Sequence, residues 1–400
     1  MSHQTDAAVM LRMDQFIARV TGSLRDRRSR ESFALYAQAL LTDGDRKSME
    51  PMAARMCGCP DDAAAAQKMH DRMLNLVSKS QWVDAPVREQ AVGYGLDAIV
   101  ARGETIEVSI IDDTGFLKQG KHSPGVHRQY TGSAGKTANC QVAVSLVVAS
   151  RSTHLPVDMA LYLPEVWTND LPRRQAAKIP DDINFQTKWK MALGMIRRAK
   201  NDGVPLGTTL ADSAYGDVAE FRAGLILLNQ PYAVAVHSST NVLVVGRGKS
   251  SQRMSVAKVA SSLPKTAFRH TTWRQGSARA MSSRFARLRV CVSGVEQTLL
   301  IEWPNGELKP TDYSLVYGHD AATTKQMVRI LKQRWRTERV YQDMKGELGL
   351  DHFEGRSYSG WNHHVTLALC CYAFVVAEQL RLFSLTTRGA RWDEPLSPAA

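Results

Sequence analysis

Along the first hundred residues, apolar side chains recur at intervals of three and four. Met13, Phe16, Ile17, Val20 and Leu24 share one helical face, and Phe33, Leu35, Tyr36, Leu40 and Leu41 mark a second helix. Residues 62–78, richer in alanine, give a third. The texture changes near residue 105. Residues 107–112 (EVSIID), 139–149 (NCQVAVSLVVA) and 154–163 (HLPVDMALYL) are β-rich runs set between polar, glycine-containing loops. A helical stretch at 187–200 follows, then a short strand ending in TTLADS, a helix at about 216–228 and a strand at 232–236. Strands alternating with helices in this order predict a mixed α/β sheet.

The stretch 237–317 breaks the rhythm. It is rich in Ser, Arg and Lys, then carries strand-like runs at 286–292, 297–303 and 313–317, as a β-rich insertion would. One long helix is predicted at about 322–347, an apolar helix at about 362–384, and a loose tail over 386–400. The expected division is an N-terminal helical domain (1–100), an α/β domain in two pieces (101–236 and 318–385), the insertion (237–317) and the tail.

Composition narrows the partners. The chain has 400 residues, 44% of them hydrophobic and 22% charged, with a formal net charge of +12. That excess favours a polyanion such as nucleic acid. The longest apolar run, VTLALCCYAFVVA at 365–377, is short of the roughly 20 residues a membrane span needs and reads as a core helix. No membrane partner is expected. The opening MSHQTDAAVM lacks the apolar stretch of a signal peptide, so a cytoplasmic protein with reduced thiols is expected. Cys57, Cys59, Cys140, Cys291, Cys370 and Cys371 have neither disulfide-scaffold density nor zinc-ribbon spacing. His363 and His364 are expected at a helix end or on the surface rather than on a metal.

Candidate chemistry begins with carboxylates at strand ends. Asp112, in SIIDDTG, ends a hydrophobic strand before a glycine turn; its neighbour Asp113 shares the position, and a structural turn serves as well. Asp212, in TTLADSAYGD, lies between strand and helix, where Asp also serves as an N-cap. Two such aspartates in one sheet suit Mg²⁺, which takes one or two carboxylates together with water and phosphate oxygens. On the predicted long helix, Arg334, Glu338 and Lys345 fall at roughly 300°, 340° and 320° from Leu331, an arc of about 40°. A carboxylate between two cations suits a site where metal meets phosphate, although intrahelical charge pairing gives the same pattern. The loop after Asp112 is basic: Lys118, Lys121, His127, Arg128 and Lys136 could grip a strand or stay solvated. So could Arg25, Arg27, Arg28 and Arg30, in RDRRSR between the first two helices.

The stretch around Glu338, R-x3-E-x6-K followed by LGL and DHFEGR, resembles the third catalytic block of bacterial insertion-sequence transposases of the DDE class. IDDTGFLKQGKHSPGVHRQYTG resembles the first block, where Asp, any residue and then Ser or Thr follow in order, which favours Asp112 over Asp113. LADSAYGD resembles the second. LYLPEVW and RKSMEPMA are similar to the insertion sequence 701 group, within the broader insertion sequence 4-like group with its Y-R-E-K signature. This chain carries Leu331 where that signature has Tyr.

The resemblance implies a ribonuclease-H-like fold with the β-rich insertion placed before the last catalytic helix. It implies Asp112, Asp212 and Glu338 as catalytic and metal-binding residues for two Mg²⁺ ions, with Mn²⁺ as a substitute, about 4 Å apart. It implies DNA phosphate contacts from Arg334, Lys345, Lys121, Arg128 and Arg356, and DNA as partner: terminal inverted repeats and target, bound by a homodimer. Water would cut the strand and the freed 3′-OH would attack target DNA, with no protein nucleophile. In related enzymes an insertion-domain aromatic stacks on a flipped base; Trp273 and Trp303 are the candidates, against a default of core packing. Two rivals share these features: a nuclease or resolvase that cuts without joining, and a silent DNA-binding derivative. A glycosidase would also use paired carboxylates, but it needs no cationic surround.

Overall fold

The computed structural model describes residues 7–58, 62–245, 253–275 and 280–386. The chain opens with helices α1 (Ala7–Val20), α2 (Arg27–Leu41), α3 (Met49–Met56), α4 (Ala63–Leu74), a π-helical turn (Asn75–Lys79) and α5 (Asp84–Ala101). Strands β1 (Ile106–Leu117), β2 (His127–Thr131), β3 (Lys136–Ser150) and β4 (His154–Tyr162) follow, then α6 (Glu165–Thr168), α7 (Leu171–Ala176) and α8 (Lys188–Asn201). Next come β5 (Thr208–Ala211), α9 (Ser213–Gly216), α10 (Ala219–Leu227) and β6 (Tyr232–Val236). The β-rich stretch holds β7 (Asn241–Val244), β8 (Arg253–Ser255), α11 (Val256–Ser262), β9 (Arg269–Gln275), β10 (Ala280–Val292), β11 (Val295–Trp303) and β12 (Asp312–Tyr317). Helices α12 (Thr324–Leu331), α13 (Trp335–Gly346) and α14 (Tyr358–Thr386) end the described chain. Cys59 and the expected tail beyond residue 386 lie outside the described residues.

Contacts group the chain into two compact units. The first takes residues up to Thr105, Asp113–Met191 and Thr337–Thr386; the second takes Ile106–Asp112 and Ala192–Arg336. Strand β1 contributes to both.

In the first unit the three- and four-residue periodicity of the N-terminus becomes a buried face. Met13, Phe16, Val20, Phe33, Tyr36 and Leu40 are all buried, and α1, α2 and α5 pack against α14. Helix α14 is long and apolar enough to cross a membrane over Tyr358–Leu382, but 72% of that window is buried inside the protein, as in a core helix. The basic RDRRSR segment starts α2: Asp26 caps it by accepting from Ser29 N at 2.8 Å, and Arg27 pairs with Glu31 one turn on. Strands β2, β3 and β4 run antiparallel, and Lys118 N donates to Asn139 O where β1 leaves the sheet. Part of the expected basic loop is therefore strand β2, with His127 and Arg128 on it.

His363 and His364 are buried, contrary to the surface placement expected. The ring of His363 stacks on Trp82 at 4.0 Å, with its nitrogens against Val77 O and Trp82 O. His364 Nε2–H donates to Gly349 O at 3.1 Å, which leaves Nδ1 to accept from Tyr36 OH at 2.9 Å. An apolar helix at the centre of a bundle gave these rings polar partners from loops the sequence pattern does not mark.

The second unit is built on parallel pairing. The first half of β1 pairs β5, and β5 pairs β6, both parallel. From β6 outward the pairing is antiparallel: β6–β12–β11–β10–β7–β8, with β9 also on β10. The stretch expected as a β-rich insertion is β-rich, and β12 joins it to β6. The long helix expected at 322–347 is two helices. Helix α12 ends at Leu331, residues 332–334 form a turn, and α13 starts at Trp335.

Candidate active site

Of the two aspartates expected at strand ends, Asp212 directly follows β5, but Asp112 lies within β1, which runs on to Leu117; the pairing register relates the two. Ile110 pairs Leu210 and Ile111 pairs Ala211 across the parallel β1–β5 ladder. One residue further, Asp112 and Asp212 stand at equivalent positions, on strands that lie about 4.8 Å apart in any sheet. Partnered positions in a parallel ladder point to the same face. The neighbouring alternate position is fixed independently, because Ser109 and Thr209 hydroxyls meet at 3.0 Å on the opposite face. Asp113 therefore points away from Asp212. It pairs with Lys188 Nζ at 2.9 Å, in the first unit. Of the two neighbours, Asp112 is the one in register with Asp212.

Each aspartate has a second partner. Asp212 keeps extended backbone and accepts from Ala214 N at 3.0 Å, capping α9. The cap and the strand-end position are thus compatible. Close packing explains the glycine of SAYGD: a Cβ on Gly216 would lie 1.9 Å from Ala235 O of β6. Asp112 Oδ2 pairs with Arg334 Nη1 at 3.3 Å, the aspartate mostly buried and the arginine about a third exposed.

That contact corrects the sequence picture of Arg334. It lies in the turn before α13, so it does not share a helical face with Glu338 and Lys345, and its guanidinium meets a carboxylate of β1. The turn holds three consecutive pairings. Lys332 Nζ meets the buried Glu302 of β11 at 2.6 Å, Gln333 Nε2 donates to Glu107 of β1 at 2.9 Å, and Arg334 meets Asp112. The run LKQRWR, with no Gly or Pro, carries no local sign of a break; tertiary pairing makes it.

Lys345, in the last turn of α13, donates to Gly115 O at 2.7 Å and to Ser133 Oγ at 3.2 Å. Burial pushes its ammonium below the usual lysine range. It ties α13 to the end of β1 within the first unit. Tyr341, one turn earlier, meets Ser145 of β3. Glu338 stands exposed in the first turn of α13, whose residues from Thr337 onward belong to the first unit. Lys121, Arg128 and Arg356 are exposed side chains of the same unit.

The two tryptophan candidates separate. Trp303 is buried, its indole N–H donates to Glu307 O, and Arg284 lies over its ring at 4.1 Å with Phe268 edge-on. It is a core residue, with no face left for a base. Trp273 is half-buried, with Lys332 Nζ 4.7 Å from its ring centre.

The donor chemistry suits a hard divalent cation. Asp112 and Asp212 are oxygen ligands of the kind Mg²⁺ accepts, one or two at a time, with water and phosphate oxygens completing the shell. The Arg334 contact shows that Asp112 already draws a positive charge. Among the described residues no group of three or more His, Cys, Asp or Glu side chains is gathered as a metal cage.

The model of a family described as DDE superfamily endonuclease matches residues 19–280, well over half the chain, and the chain belongs to that family. The matched span includes Asp112 and Asp212 and stops short of Glu338. The chain is also similar to the probable transposase for insertion sequence element IS701 of Microchaete diplosiphon, 30% identical over 223 residues. The similarity covers 56% of this chain and 53% of that protein, so the chain spans about half the length of the relative it matches.

Proposed function

We propose that the protein is a DNA transposase that cleaves the ends of a mobile element and joins the freed 3′-OH to target DNA. The observation that carries the reading is the parallel β1–β5 register, which brings Asp112, inside β1, and Asp212, the first residue past β5, to equivalent positions. Family membership and the similarity to a probable transposase support it. Glu338, in the first turn of α13, is the third carboxylate of the proposal and rests on the R-x3-E-x6-K spacing.

Asp112, Asp212 and Glu338 would hold two Mg²⁺ ions, or Mn²⁺ in their place. Bound there, such ions supply Lewis-acid stabilisation to the attacking and leaving oxygens of an in-line phosphodiester displacement. The protein's own part is placement. The β1–β5 ladder holds the two aspartates in register, and the α9 cap fixes the Asp212 carboxylate. Lys121, Arg128 and Arg356, exposed cations, would contact phosphates, and Trp273 is the remaining candidate to stack on an unpaired base. We further propose a ribonuclease-H-like fold for the β1–β6 region with α13 and α14, a homodimer on DNA, and a cytoplasmic protein acting on the bacterial chromosome.

The test is a labelled-end assay with donor and target duplexes in Mg²⁺. The expected products are cleaved ends and joined target. Cleaved ends with no joined product would make the protein a nuclease or resolvase, and binding without either product would make it a silent DNA-binding derivative.

A further inference from the structure

The turn between α12 and α13 is held by three successive side chains on three carboxylates: Lys332 on Glu302, Gln333 on Glu107, and Arg334 on Asp112. The first is short and mostly buried. The last is longer, 3.3 Å, and its arginine keeps about a third of its surface in water. The turn thus joins a short, buried ion pair at one end to a partly exposed one at the other, and the partly exposed one lies on the carboxylate in register with Asp212.

A guanidinium and a divalent ion compete for the same oxygens of Asp112, because both are drawn by its negative charge. We propose that Arg334 is a stand-in cation: it neutralises and positions Asp112 in the metal-free protein and gives way when a divalent cation loads, with residues 332–334 as the hinge. This rests on the reading of Asp112 as a metal ligand. Arg334 is then a positioning residue that couples cation loading to the 332–334 turn and to Trp335, the first residue of α13. A cation gains only the difference between its own affinity and that of the arginine it displaces, so removal of the arginine strengthens cation binding. A purely supportive arginine predicts the reverse.

The experiment is calorimetric titration of Mn²⁺ into the full chain without DNA, for wild type, Arg334→Gln, Arg334→Lys and Asp112→Asn, each checked by its thermal melt. Arg334→Gln should bind about fivefold tighter than wild type, the upper end expected for loss of one partly exposed ion pair. Arg334→Lys, which keeps the competing charge, should stay within about twofold of wild type on the same grounds. Asp112→Asn should lose binding. Equal or weaker binding by Arg334→Gln, with Asp112→Asn defective, overturns the proposal and leaves the metal reading standing. Unchanged binding by Asp112→Asn overturns the metal reading and the proposal with it. A second readout does not depend on the arginine variants. Trp335, next to Arg334 and stacked by Arg274 at 5.0 Å, should change its fluorescence as Mg²⁺ saturates the wild type, and Trp335→Phe should erase that change. No change at saturation overturns the proposal.

Discussion

Single side chains divide cleanly between chemistry and structure at β1. Asp112 and Asp113 are adjacent in sequence but on opposite faces of one strand, so their substitutions should separate. Asp112→Asn should abolish metal-dependent cleavage. Asp113→Asn should keep cleavage and lose only the Lys188 pair, a contrast that a nicking assay on both variants reads directly. His364 carries a different prediction. Burial pushes its imidazole down to about 4 from an ordinary 6.5, so the folded protein holds it neutral while the unfolded chain protonates. Between pH 6.5 and 4 the unfolded state therefore binds the extra proton, and stability falls as pH falls through that window. At pH 5 the loss attributable to this ring is about 2 kcal/mol. Chemical denaturation at pH 7 and pH 5 should show it, and His364→Gln should flatten the difference.

Elements succeed or fail according to whether local pattern or tertiary contact decides them. The buried faces of α1 and α2 were legible because a period of 3.6 admits one reading. The end of β5 was legible because its hydrophobic run stops at Asp212; the end of β1 was not, since the strand continues through Asp112 and Asp113 to Leu117. The break between α12 and α13 was not, since Lys332, Gln333 and Arg334 are all good helix formers and their partners Glu302, Glu107 and Asp112 are distant in sequence. Nor was the burial of His363 and His364, whose acceptors come from turns at 77, 82 and 349. The loss of Trp303 as a stacking residue follows from Arg284 and Phe268, which only the folded sheet brings to it. Two substitutions test the element scale. Gly216→Ala puts a methyl against Ala235 O and should cost about 1–3 kcal/mol as overpacking, displacing the helix that Asp212 caps; denaturation and cleavage should fall together. Lys332→Ala leaves the buried Glu302 carboxylate without its cation and should cost about 2 kcal/mol, less than a fully buried pair because the lysine is about a quarter exposed. Glu302→Gln in the same background should recover part of that loss in a melting experiment.

At the scale of the whole molecule, the formal charge of +12 predicts DNA binding that weakens steeply with salt, since each phosphate contact contributes about 0.9 to the slope of log affinity against log salt. On the proposed function, binding and chemistry should come apart, because the net charge would spread affinity over many cations while the three proposed carboxylates would carry cleavage. Two of these, Asp112 and Asp212, stand in one register of one sheet and inside the span matched by the family; the third, Glu338, stands in α13 beyond it. Glu338→Gln keeps the side chain's shape and removes its charge, which makes it the sharpest probe. The decisive measurement is Mg²⁺-dependent cleavage of labelled element ends by wild type, Asp112→Asn, Asp212→Asn and Glu338→Gln, with end-DNA affinity measured alongside. The account predicts that each variant binds the ends about as well as wild type and cuts none of them. Cleavage at the wild-type rate by any one of the three would contradict it.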